Sequence, residues 1–299
     1  GGGGGGKTGG GTITGSVYAP DNATPIVGAS VTVQGTGRST TTNAQGGYTL
    51  TKVPTGSQTI IAIKGGYRAE ISATVTEDKT VTAAPLALAP TGKIGVVTGG
   101  VWDTIESVLS TLGIAYDVID DTELQDAVIL SQYTAIFFPC GMSPNFTDPE
   151  QQGSAEITAN LRNFVKEGGS IYISDLVFAS VDHLFPDKIE IMPSSAKKAD
   201  DQFIEAVVCD PEIQALLGKD KAIVYLDIYG WIVIDSVAPG VSVDLQGTVV
   251  FEDETTKDNV PLMVHFSHGD GFVVFTSFHN SAQVTKDTEK ILKHLVFEL

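Results

Sequence analysis

With 299 residues the chain has room for more than one domain, and 36 acidic against 18 basic side chains leave a formal charge of -18. That sign sets it against nucleic acid and anionic membrane surfaces. No apolar run approaches the ~20 residues of a membrane-spanning helix, while 42% hydrophobic content and 33 glycines describe a folded, loop-rich protein rather than a disordered one.

Residues 1–11 are nearly all glycine, interrupted by Lys7 and Thr8, and such a run buries nothing that would offset its ordering entropy. A flexible tether is expected there. The sequence opens without methionine or a signal-like segment, which reads as a processed or truncated N-terminus. A glycine run of this kind is typical of the segment after the lipidated cysteine of bacterial lipoproteins. That cysteine is absent from the sequence, so a lipid tether is an expectation drawn from the glycines alone.

From Thr12 to Leu88 the signal is all β. Ile13, Gly15 and Val17 alternate with polar residues, as do Ala29, Val31 and Val33, then Tyr48 and Leu50, Ile61 and Ile63, and Ile71, Ala73 and Val75. Turn residues at Asp21-Asn22, Gly35 to Gly37, Asn43 to Gly47, Pro54 to Gly56 and Gly65-Gly66 give the spacing of a small sandwich. The strings Gly15-Ser16-Val17, Ile26 to Val33, Gly47-Tyr48-Thr49-Leu50, Val53-Pro54-Thr55-Gly56 and Gly66-Tyr67 resemble the carboxypeptidase regulatory-like family. The resemblance implies a transthyretin-like, non-catalytic β-sandwich over residues 12–90, of the kind attached to secreted or surface proteins. No histidine or cysteine falls in that stretch to supply chemistry. Ala83 to Gly92, with Pro85 and Pro90 among alanines, reads as a linker.

After Lys93 strands and helices alternate, the pattern of a parallel sheet covered on both faces. Strands are predicted at Ile94 to Val97, Tyr116 to Ile119, Ala135 to Phe138 and Ile171 to Ser174. Further, partly antiparallel strands are predicted at Ile223 to Leu226, Trp231 to Ile234, Val241 to Leu245, Val249 to Phe251 and Leu262 to Phe266, and a closing strand at Phe272 to Thr276. One helix runs to Leu112 from a cap at Asp103 and stops at Gly113; another covers Ile157 to Lys166, and a last one Lys286 to Phe297. Gly168-Gly169 supplies the positive φ that ends the second helix, and Ile171 to Ser174 then delivers Asp175 to the carboxyl end of its strand. In open parallel sheets that edge is where ligands and catalytic groups collect.

The first strand, Tyr133 to Gly141, Leu161 to Asp175 and Val273 to Asn280 together resemble the class I glutamine amidotransferase-like fold, including its ThuA-like relatives. The resemblance implies a flavodoxin-like α/β domain over residues 91–299. In working amidotransferases a nucleophilic cysteine stands on the elbow after the fourth strand, and a histidine followed two residues later by glutamate stands after a late strand. Here Asp175 falls on the elbow, Phe278-His279 matches the family's Phe-His, and Ser281 stands where the glutamate would be. A carboxylate cannot form the glutaminase thioester, so that reaction is expected to be lost. Gly168 to Asp175, His183 to Asp187, Gly230-Trp231 and Gly271 to Asn280 are also similar to a group of uncharacterised bacterial surface or secreted proteins.

Asp175 and His279, each placed after a parallel strand of one sheet, are the candidate catalytic pair; Asp175, His183, His279 and Asn280 are the candidate ligand contacts. The competing expectation is an Asp-His hydrogen bond that ties two loops together. His265 in a strand, His268 in a turn and His294 in the last helix read as packed or solvated, and none has metal-site spacing. Acidic runs at Asp120-Asp121, Asp200-Asp201 and Glu252 to Glu254 with Asp258 do not fit a calcium loop and read as solvated charge, with calcium as the lesser alternative. Cys140 and Cys209 are expected to be two buried thiols or, failing that, a disulfide. No metal and no cofactor is expected. The functional expectation is a secreted or cell-envelope binding or structural protein that meets a protein or glycan partner or self-associates, with a hydrolase or sugar-active enzyme as the alternative.

Overall fold

A computed structural model describes residues 9–141, 145–148, 150–151, 153–193, 198–227, 230–281 and 284–299. The chain divides into two compact units, Gly1–Ala89 and Pro90–Leu299. Most of the expected tether, Gly1 to Thr8, lies outside the described residues.

The first unit carries two sheets, one of mixed and one of largely antiparallel pairing, consistent with a β-sandwich. One has Gly10–Tyr18 at its centre, paired with Gly47–Pro54, Thr80–Thr82 and Leu86–Ala87. The other runs Arg38–Thr41, Ser30–Val33, Gly56–Lys64, Tyr67–Val75 and Ala89–Pro90. Period-two alternation buries Ile13, Val17 and Leu50 from one sheet and Val31, Ile60 and Ala62 from the other.

Two boundaries differ from the sequence reading. Gly10 and Gly11 are not tether but the start of a strand, paired with Pro54 and Val53; a Cβ at Gly11 would stand 2.6 Å from the Thr76 carbonyl oxygen, so close backbone approach selects glycine there. Nor is Ala83 to Gly92 a linker. Leu86 pairs with Val17, and Leu86 and Leu88 are buried, so alternate leucines dock the stretch despite its prolines.

The second unit is a mixed α/β domain around nine strands: β1 (Lys93–Val97), β2 (Asp117–Ile119), β3 (Tyr133–Phe138), β4 (Ser170–Ser174), β5 (Gln202–Val208), β6 (Lys221–Leu226), β7 (Val241–Val250), β8 (Thr256–His268) and β9 (Gly271–Thr276). Their spatial order is β2-β1-β3-β4-β9-β8-β7-β5-β6. The first five in that order are parallel and the rest antiparallel. Helices α1 (Ile105–Thr111), α2 (Asp121–Gln125), α3 (Ala127–Leu130), α4 (Ser154–Lys166), α5 (Phe178–Leu184), α6 (Pro211–Leu217) and α7 (Lys286–Glu298) complete it. The parallel strands are near-continuous apolar runs because both faces are covered: all five residues of β4 are buried.

Several local expectations change. Trp231 precedes a strand rather than opening one; Ile234–Val237 pairs with Ile189–Ile191 in a separate two-stranded ribbon. Val249 to Phe251 is no separate strand, because β7 continues through register shifts to Val250. His268 is not in a turn but is the last residue of β8, paired with Gly271. The two glycines after α4 do different work. Gly168 takes the positive φ (107°), whereas a Cβ at Gly169 would lie 2.3 Å from the Phe164 ring, so packing fixes that position.

Candidate functional site

Three neighbouring parallel strands set the site. Phe138 of β3 pairs with Ile173 of β4, and Ser174 of β4 pairs with Thr276 of β9, so the residues just beyond those ends meet at one corner of the carboxyl edge. Cys140, Asp175 and His279 are those residues. A sulfur, a carboxylate oxygen and a ring nitrogen from the three all lie within 4.8 Å of one another. All three side chains are sealed: Cys140 and Asp175 are 0% exposed and His279 is 1%.

The turn at Asp175 is strained. Its φ is 43°, a left-handed conformation that is rare for a residue with a Cβ, and it joins β4 directly to a 3-10 turn, Asp175–Val177, that runs into α5. This sharp strand-to-helix elbow lifts the side chain above the sheet edge, the geometry in which nucleophiles are presented on other folds. Here the carboxyl is occupied. The Ile232 N–H donates to Oδ1 at 2.9 Å, and the Cys140 thiol donates to Oδ2 at 3.8 Å.

Asp103 is a fourth member that sequence alone misplaces. It does not cap α1, whose N-cap is Thr104. Instead its buried carboxylate accepts from the Ser174 hydroxyl (2.7 Å), the Asn280 N–H (3.1 Å) and the Cys140 N–H (3.4 Å). It therefore ties the loops after β1, β3 and β9 to the end of β4 in one knot.

Burial dominates the electrostatics. It raises the Asp175 carboxyl to about 7, with the negative charges of Asp227 and Asp103 adding to the rise and the Ile232 and Cys140 bonds opposing it. Asp103 rises to about 6 for the same first cause, against its three hydrogen bonds. The His279 ring falls to about 4 because burial penalises its charged form more than Asp227 favours it. Burial, then the charge of Asp175, pushes the Cys140 thiol far up. Near neutral pH the corner holds a neutral imidazole and an un-ionised thiol beside a carboxyl at its midpoint. Sulfur, oxygen and nitrogen are metal donors by type, but a cation there would have to displace the thiol proton against that shift.

The other sequence candidates go elsewhere. His183 is not in the corner: on α5 its Nε2 pairs with Thr158 Oγ1 of α4 at 2.8 Å, and its ring sits edge-on to Phe146. A helix register eight residues past the elbow turns it onto α4. Asn280 adjoins the corner but is consumed: its amide nitrogen bonds Thr104 O at 2.8 Å, with Thr104 Oγ1 and Ser107 Oγ at 2.9 Å, anchoring the start of α1. The cysteines are both free, and only Cys140 is buried; Cys209, just past β5, is exposed. Neither a thiol pair in the core nor a disulfide forms.

Residues 13–89 match the family model of the CarboxypepD_reg-like domain, which accounts for the first unit. No curated protein matches the chain. Among solved structures, a thua-like protein from Bacteroides uniformis is similar over 70% of this chain and 92% of its own, at 12% identity and a TM-score of 0.50. At that identity the likeness is one of fold, and it supports a ThuA-like fold. A cytoplasmic protein from Salmonella typhimurium is similar at 16% identity and a TM-score of 0.44 over 80% of this chain and 93% of its own. PurLQS from Thermotoga maritima is similar at 16% identity and 0.44 over 69% and 98%.

Proposed function

We propose that the chain is a binding or structural protein of the bacterial envelope or exterior, in which an amidotransferase-like domain has exchanged its nucleophile for an aspartate and now serves as a rigid recognition module. The observation that carries this reading is Asp175: it keeps the strained elbow, yet it is fully buried and its oxygens are held by Ile232 and Cys140. Strain is retained where surrounding structure over-determines it, and here the surrounding bonds are structural. A flavodoxin-like description of the domain is supported by its parallel strands, whose order β2-β1-β3-β4-β9 is the doubly wound order with one switch point beside β1. The CarboxypepD_reg-like domain and the glycine-rich start support placement outside the cytoplasm. A protein or a glycan is the partner class, since the charge of -18 disfavours polyanions.

The test is to incubate the purified chain with glutamine and with panels of amides and glycans, measuring turnover, and to screen the same sample for retained glycans and proteins. Binding that survives Asp175→Asn, with no turnover, supports the proposal. Turnover abolished by Asp175→Asn would sink it.

One observation favours the second reading, a hydrolase or sugar-active enzyme. The carboxyl at about 7 and the ring at about 4 bring the acid's pKa above the base's, an inversion that enzymes use to keep a general acid protonated near neutrality. Asp227 adds to it, because its buried Oδ1 has no hydrogen-bond partner among the described residues while its charge acts on both groups. On this reading activity declines above pH ~7 as Asp175 ionises; a rate that is flat from pH 5 to 9 removes it.

A further inference from the structure

A second histidine-carboxylate cluster lies away from the Asp175 corner, in a cavity of about 490 Å³ lined by α6, α7 and strands β7 to β9. We propose that this cavity is a divalent-cation site, best matched to zinc, with His294 Nε2 and the carboxylates of Glu212 and Glu298 as its ligands. The inference does not depend on any reading of the corner.

The helices bring the ligand set together. His294 and Glu298 stand four residues apart on α7 and so share one face, while Glu212 comes from the first turn of α6, which packs on α7. One ligand atom from each of the three lies within 4.8 Å of the other two. His294 Nε2 stands 2.9 Å from Glu298 Oε1 and 3.8 Å from Glu212 Oε2. Ligands around a tetrahedral zinc with bonds of about 2.0–2.1 Å are about 3.3 Å apart. The two observed distances bracket that value, so sub-ångström shifts would seat the ion.

Accessibility and charge favour a cation. The imidazole is 5% exposed, which fixes its ring, but the Glu298 and Glu212 side chains are 29% and 41% exposed, so an ion has a way in. Asp210 and Asp244 also line the cavity, which makes four carboxylates against the two imidazoles of His265 and His294. The two aspartates hold neighbouring groups. Asp210 Oδ1 accepts from the N–H groups of Glu212 and Ile213. Asp244 holds His265 Nδ1 at 2.9 Å from each of its oxygens, a carboxylate-histidine contact of the kind that orients rings around metals. A nitrogen with two carboxylates suits zinc better than magnesium or calcium, whose shells are built from oxygen. Three protein ligands leave a fourth position facing the open cavity, where water or a small anionic ligand can bind.

The experiment uses the full chain, stripped with a chelator and titrated with zinc alone, monitored by calorimetry and by thermal melting. One zinc per chain, a melting temperature that rises with zinc, and weaker binding by ~10-fold or more in both His294→Ala and Glu212→Gln are expected. Glu212→Gln is isosteric at an exposed side chain, so it separates lost ligation from lost folding. Wild-type protein that neither binds nor is stabilised by micromolar zinc overturns the proposal. So does zinc binding that both variants retain and Cys140→Ala loses, which would move the ion to the other cluster.

Discussion

The two histidine-carboxylate clusters of the second domain are built from similar residues and differ in their access to water. At the corner after β3, β4 and β9, Asp175 and His279 are sealed at 0% and 1% exposure. In the cavity beside α6 and α7, Glu212 and Glu298 keep 41% and 29% of their side-chain surface. Burial without a countercharge disfavours ionisation, and the corner answers by shifting its groups toward their neutral forms. The cavity gathers four carboxylates: solvent reaches Glu212 and Glu298, and the buried Asp244 faces His265. Donor atoms close enough to ligate are therefore not sufficient for a cation site; a route for water and ion separates the two clusters.

The largest test of the sealed corner is Asp103→Ala. It would leave the Ser174 hydroxyl and the Asn280 N–H without their acceptor in a buried setting, while the Cys140 N–H keeps the Ser174 oxygen at 2.8 Å. At ~1–3 kcal/mol per orphaned buried group, a loss of about 2 kcal/mol or more in denaturant unfolding is expected. A loss below about 1 kcal/mol would mean that water reaches the corner and the contrast with the cavity is false.

Next comes Asp175→Asn, whose effect depends on pH. The folded pKa of about 7 lies above the unfolded value of about 4. Below pH ~4 the carboxyl is protonated in both states and makes no difference; as pH rises toward 7 the unfolded state alone releases its proton, so stability falls. Asparagine keeps the oxygen that accepts from Ile232 and cannot ionise. The variant should match wild type near pH 4 and exceed it at pH 8 by on the order of a few kcal/mol. Equal stability at both values would show that the carboxyl titrates normally. A smaller effect is expected from Thr158→Val, which removes the 2.8 Å contact to His183: about 1 kcal/mol, with the pH response attributed to Asp175 unchanged.

How much of this arrangement is legible in the sequence depends on how local each cause is. The run from Ile171 to Ser174 and the stop at Gly168 are local, and a parallel ladder aligns strand ends, so Asp175 and His279 are expected at one edge. Asp103 reads as a helix cap because an acidic residue just before a helix usually caps it; its partners lie 37, 71 and 177 residues away, and only the folded sheet brings them together. Leu86 and Leu88 are hidden among alanines and prolines, and their docking is a property of the sandwich rather than of the segment. For the cavity, the spacing of His294 and Glu298 is visible on a predicted helix, but Glu212 arrives from α6 and leaves no trace in the spacing.

The smallest perturbation compares the two regions within a single sample, because one free thiol lies in the corner and the other beside the cavity. Cys140 is fully buried in the corner, and burial together with the charge of Asp175 holds its pKa far up. Cys209 is exposed, and its N–H donates to the carbonyl of Asp244, one of the residues lining the cavity. Burial and the Asp244 charge raise its thiol too, so its reaction should be slow near neutrality and quicken with pH. A maleimide should therefore modify one thiol per native chain, at Cys209, and the second only in denaturant, with native stability changed by less than about 0.5 kcal/mol after the first addition. Mass spectrometry of the labelled peptides reads this directly. Labelling of Cys140 in the native protein at a rate comparable to Cys209 would mean that the corner opens on the timescale of the reaction, and Asp175 and His279 would then have to be treated as an accessible pair rather than a sealed one.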